Sequence, residues 1–67
     1  MFTVFFIQTL ADGSTVRSNA TYETLLEAKA RFYLELAQVG TESGPKEVKA
    51  IIFNDELVTC AFETLSK

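Results

Sequence analysis

Between Thr21 and Val39 the apolar positions fall at Tyr22, Leu25, Leu26, Phe32, Tyr33, Leu36 and Ala37. This i, i+3, i+4 spacing gathers side chains on one face of a helix. Lys29 stands where the stripe would continue, and its stem can lie along the stripe with the ammonium in water. Glu23, Glu27, Arg31, Glu35 and Gln38 take the other side. Glu27–Arg31 and Arg31–Glu35 are opposite charges four residues apart, each pair worth about 0.2–0.5 kcal/mol. Thr21 is placed to cap the amino end, and Gly40 to stop the helix in a left-handed conformation. The spacing therefore predicts one helix over residues 21–39.

On both sides of this segment the period drops to two. In the run Phe2 to Leu10, Phe2, Val4 and Phe6 point one way, and Phe5 and Ile7 the other. Apolar residues on both faces mark a central strand covered on both sides. Ala11-Asp12-Gly13 is a turn, because glycine supplies the positive φ that a tight hairpin needs. Ser14 to Ser18 returns as a second strand with only Val16 strongly apolar, as suits an edge. Glu47 to Asn54 is a third strand, with Lys49, Ile51 and Phe53 on one face and Val48, Ala50 and Ile52 on the other. Asn54-Asp55 makes a second turn, since both tolerate left-handed backbone. Leu57 to Leu65 is a fourth strand, with Val58, Cys60 and Phe62 on one face and Leu57, Thr59, Ala61, Glu63 and Leu65 on the other. Thr41 to Lys46, with two turn-formers, is expected to be an exposed and mobile loop.

The order is ββαββ. The expected fold class is α+β: one domain over residues 1–67, with a four-stranded, mainly antiparallel sheet of two hairpins and one helix packed on one face. An all-antiparallel sheet takes the order 2-1-3-4; a mixed order with the first strand beside the fourth stays open.

Composition narrows the function. A chain of 67 residues buries only roughly 60% of its unfolded surface, so further burial against a partner helps it. Its net charge of −3 argues against a nucleic-acid surface, which normally carries a basic excess. Phe5, Phe53 and Phe62 are the aromatic residues that a base-stacking platform on an open sheet would use, but only Arg17 in the first hairpin is basic. No run approaches the ~20 apolar residues of a membrane span. Cys60 is the one cysteine and there is no histidine. An internal disulfide is impossible, a zinc site of the usual kind is excluded within one chain, and a cytoplasmic setting is expected.

The chemical inventory is thin. Without histidine, a serine or cysteine nucleophile would need a lysine or carboxylate as its base. Cys60 reads as a buried structural thiol, and Asp55-Glu56 as turn chemistry. The three glycines do not form a phosphate loop, whose spacing and lysine are absent. No catalytic, metal or cofactor site is expected. The stretches Phe2-Thr3-Val4-Phe5-Phe6, Ala11-Asp12-Gly13, Tyr22-Glu23-Thr24, Glu27-Ala28 and Phe32-Tyr33 resemble short uncharacterised proteins of bacterial and prophage origin. That resemblance implies a ββαβ-type fold and a mobile-element setting, and it carries over no catalytic residue.

The leading expectation is a non-enzymatic interaction module that forms a homodimer through its sheet. Phe5, Ile7, Ile51, Phe53 and Leu57 are the candidate surface. The alternative is an acidic inhibitor or mimic that presents Glu23, Glu27, Glu35, Glu42, Asp55 and Glu56 to a basic partner.

Overall fold

The computed structural model describes residues 1–67. Four strands, β1 (Phe2–Thr9), β2 (Thr15–Tyr22), β3 (Glu47–Asn54) and β4 (Thr59–Ser66), form one sheet in the order β2-β1-β3-β4. Every neighbouring pair is antiparallel. A single helix, α1 (Leu25–Ala37), packs on one face and continues into a short 3-10 turn over Gln38–Gly40. The expected α+β architecture is the one observed, and the mixed strand order is ruled out.

The first hairpin sets the register. Gly13 has φ +90°, and the Asp12 carboxylate accepts from the backbone N–H of Ser14 at 2.9 Å and from its hydroxyl at 2.6 Å. This turn places Thr9 opposite Thr15, and pairing then continues until β1 ends, with Phe2 opposite Tyr22. The second strand therefore ends four residues later than its polar composition predicts. Thr21 and Tyr22 belong to β2 and not to the helix. The cap is Thr24, whose hydroxyl accepts from the Glu27 N–H at 3.2 Å and donates to the Glu27 carboxylate at 2.9 Å. Tyr22 keeps an apolar role, because it packs against the edge of the core from its strand.

Both β2 and β3 run antiparallel to β1, so they are parallel to each other and need a crossover along the sheet. The 13 residues of α1 span about 20 Å of it. The helix does not end in a left-handed glycine, since Gly40 has no positive φ. Instead the last turn tightens, and the Thr41 hydroxyl donates to the Gln38 carbonyl at 2.7 Å. The following segment is not a loose loop. Pro45 is buried, the Lys46 N–H donates to the Thr9 carbonyl at 2.8 Å, and the Lys67 N–H donates to the Lys46 carbonyl at 2.9 Å.

The core lies between α1 and the sheet. Ala28, Phe32 and Leu36 from the helix meet Val4, Phe6, Val48, Ala50 and Ile52 from the central strands, with Val39 closing one end. The inward stripe is narrower than the sequence pattern. Leu26 is 79% exposed and Tyr33 60%, and Ala37 is exposed too. Of the two expected i,i+4 ion pairs, Arg31–Glu35 forms, whereas the Glu27 carboxylate accepts from the Thr24 hydroxyl instead. Glu35 turns toward the sheet, accepting from Gln8 at 3.0 Å and from Arg31 at 2.9 Å. The Arg31 guanidinium lies 5.3 Å from the Phe6 ring centroid. Donation to the Tyr22 hydroxyl and then to Glu35 holds Arg31 above its ordinary pKa.

The fourth strand begins two residues later than expected, and an irregularity resets its faces. Ile52 pairs with Ala61 but Phe53 pairs with Thr59, which leaves Cys60 as the extra residue of a β-bulge. Strict alternation places Cys60 beside Phe62 and Thr59 beside Ala61. With the bulge, Thr59 lies across from Phe53, and Cys60 packs half-buried against the core. The preceding turn takes its positive φ (61°) at Leu57, not at Asn54 or Asp55. Asn54 acts through its side chain, accepting from the N–H groups of Glu56 and Val58.

Candidate functional site

The sheet face away from α1 is built from the alternate residues of all four strands. The registers align Asn19, Phe5, Ile51 and Phe62 in one row across it. On one side lies the row Arg17, Ile7, Lys49, Thr64, and on the other Thr21, Thr3, Phe53, Thr59. Three apolar side chains therefore stand shoulder to shoulder in the middle, with Ile7 and Phe53 at opposite corners.

Phe5, Ile7, Ile51 and Phe53 are half-buried by one another and by their neighbours. Phe62 is 63% exposed. Phe5, Ile7, Lys49, Ile51 and Phe62 line a shallow hollow of about 210 Å³. Hydroxyl and amide side chains frame this patch, and its charged members are Arg17, Lys49 and Glu47. Lys49 and Glu47 lie 4.0 Å apart on the same strand.

Four of the five expected surface residues, Phe5, Ile7, Ile51 and Phe53, thus share one face. Leu57 is 79% exposed but sits in the β3–β4 turn, off the rows. Phe62, which the sequence offers only as a stacking residue, stands in the central row. Its alternation with Ile51 across the strands was the available signal. The bulge leaves Phe62 itself in phase and displaces only the residues before it.

The acidic residues do not gather on one surface. Phe2 is flanked by Tyr22 and Asn54, so Glu23, which follows Tyr22, and Asp55 and Glu56, which follow Asn54, lie at one end of the sheet. Glu42 follows the 3-10 turn at the far end of the helix. The Glu35 side chain is only 12% exposed and is bonded to Arg31.

No titratable side chain is buried, and no three metal-ligating side chains cluster. No helix is long and apolar enough to cross a membrane. No protein-family model, curated protein or solved structure matches the chain.

Proposed function

We propose that this protein is a non-enzymatic interaction module that self-associates through the open face of its sheet. The carrying observation is Phe62, largely exposed at the centre of an apolar row with Phe5 and Ile51. Six phenylalanines in 67 residues exceed what the single helix covers, and an exposed patch of this kind marks an interaction surface. Four eight-residue strands make a face of about 26 by 19 Å. Two such faces together bury about 1,000 Å², the lower bound for a specific interface. The association is accordingly weak to moderate. A second copy supplies the same rows, so its apolar centre meets an apolar centre and its hydroxyl frame meets a hydroxyl frame. The lone thiol Cys60 is consistent with a cytoplasmic setting.

Sedimentation across a concentration series tests this reading. Phe62→Glu is expected to weaken the concentration-dependent association by about tenfold or more. Val16→Glu, at an exposed edge position on the other face, is expected to leave it in place. Equal loss in both variants would count against the open face as the contact.

A second reading rests on Glu23, Asp55 and Glu56 at one end of the sheet, where Asp55 also pairs with the terminal ammonium of Met1 at 3.0 Å. That end would suit a basic surface on a protein partner. Such binding would weaken steeply between low and physiological salt; salt-insensitive binding would set this reading aside.

A further inference from the structure

The outer backbone groups of the edge strand β2 have no strand beside them. Where the first hairpin closes, the Leu10 N–H donates to the Ser14 carbonyl at 2.8 Å. Bonding toward β1 therefore recurs at every second residue, at Val16, Ser18, Ala20 and Tyr22, each opposite an even-numbered residue of β1. The N–H and C=O groups of Thr15, Arg17, Asn19 and Thr21 point away from the sheet. Their run holds no proline and no bulge, and such an edge is a template for one more strand. The other edge is not equivalent. β4 is interrupted by the bulge at Cys60, and its Glu63, across from Ala50, sets a carboxylate on the helix side.

A groove lies beside β2. It encloses about 430 Å³ between Tyr22 of the strand and Glu27, Ala30, Arg31 and Leu34 of the helix. Its polar groups are paired within the fold. Arg31 donates to the Tyr22 hydroxyl at 3.3 Å and to Glu35 at 2.9 Å, and the Glu27 carboxylate accepts from Thr24 at 2.9 Å. An incoming side chain therefore meets apolar surface: the Tyr22 ring, Ala30, and Leu34, which is 55% exposed.

Edge and groove together select the occupant. A strand added to β2 sends alternate side chains toward the helix, into the groove, and the others to the open-face side. A second copy of β2 fits poorly, because the helix-side residues at its middle are Ser18 and Ala20, too small for a groove of this volume. Arg17 is the one charged residue of β2, and an acidic residue directly across from it is favoured.

We propose that β2 takes an extended segment of another protein as a fifth strand, antiparallel to it. Leucine-sized residues opposite Ser18 and Ala20 enter the groove, and an acidic residue stands opposite Arg17. Main-chain bonds then supply affinity and the groove supplies selectivity. The fifth strand lies beside the open sheet face and not over it, so neither contact needs the other.

The probe is an end-blocked heptapeptide, threonine-leucine-threonine-leucine-glutamate-leucine-threonine, titrated into the 15N-labelled chain. In the antiparallel register its threonines and glutamate bond to Thr21, Asn19, Arg17 and Thr15, and its leucines face the helix side. Saturable amide shifts are expected along β2 and at Ala30 and Leu34. N-methylation of the threonines and glutamate removes the donors that face β2 and is expected to weaken binding by about tenfold or more; N-methylation of the leucines is expected to change it less than about threefold. Ala30→Glu, at an exposed helix position, puts a carboxylate in the groove and is expected to weaken binding by about tenfold with the fold retained. No saturable shift at about 1 mM peptide, equal weakening by the two methylation patterns, or shifts centred on Phe5, Ile51 and Phe62 would overturn strand addition at this edge. Loss of self-association in Ala30→Glu without peptide would make a second copy the occupant and would overturn it too.

Discussion

Ile51 on β3 and Phe62 on β4 are direct cross-strand partners on the face that the helix does not cover. Ile51 is half-buried by its neighbours, whereas Phe62 is 63% exposed. Most of the Phe62 ring therefore contributes little to the folded monomer. Phe62→Ser is expected to cost under about 1 kcal/mol of monomer stability, within the range of cross-strand pair energies. The same change is expected to weaken self-association by about tenfold or more, as loss of a central aromatic anchor does. Urea denaturation at low concentration and sedimentation at high concentration check the two halves separately.

Thr24, and not Thr21, caps the helix. Thr24→Ala is expected to destabilise the protein by about 1 kcal/mol. Thr21→Ala, on an exposed position of an edge strand, is expected to cost no more than about 0.5 kcal/mol. Thermal or urea unfolding of the two variants side by side checks the order.

Gly44 lies against the end of the helix. A Cβ added there would fall well inside contact distance of the Gln38 carbonyl oxygen and the Thr41 hydroxyl. Both of those atoms are engaged in the bond that closes the 3-10 turn. Gly44→Ala is expected to cost about 1–3 kcal/mol through overpacking. Gly40, with open space around it, is expected to accept alanine with little change, and unfolding midpoints distinguish the two.

The Asp12 carboxyl is held below its ordinary value by the Ser14 hydroxyl, then by the Ser14 N–H. A depressed carboxylate contributes stability that is fully present above its unfolded pKa, near 3.8. That contribution fades as the pH falls through the folded value. The Asp12 side chain is exposed, so the effect is small. The unfolding midpoint of Asp12→Asn is expected to fall less between pH 5 and pH 2 than that of the parent chain.

Periodicity made the architecture legible, and the misreadings share a physical cause. The period-two runs of Phe2–Ile7 and Val48–Phe53 identify the central strands and their faces, because each face is lined by large apolar residues. Thr15 to Tyr22 carries no such pattern. Its length comes from pairing with β1 along the whole register, a non-local constraint that a polar edge strand does not advertise. Assigning Tyr22 to the helix then widened the apparent apolar stripe. The spacing places Leu26, Tyr33 and Ala37 with the inward residues because the helix is apolar on two sides, and only contact with the sheet decides which side is used. The bulge at Cys60 was hidden because one extra residue leaves no mark on alternation before the strands are paired. Four of five surface residues were nevertheless legible, since Phe5, Ile7, Ile51 and Phe53 fall opposite Val4, Phe6, Ala50 and Ile52 in strict alternation.

An isotope-filtered NMR experiment on a mixture of labelled and unlabelled chains reads directly what lies on the open sheet face. At high concentration, intermolecular contacts are expected from the ring protons of Phe5 and Phe62 and the methyl groups of Ile51. An absence of intermolecular contacts from these three residues, with their side chains in contact with water at concentrations where the chain associates, would overturn self-association through this face.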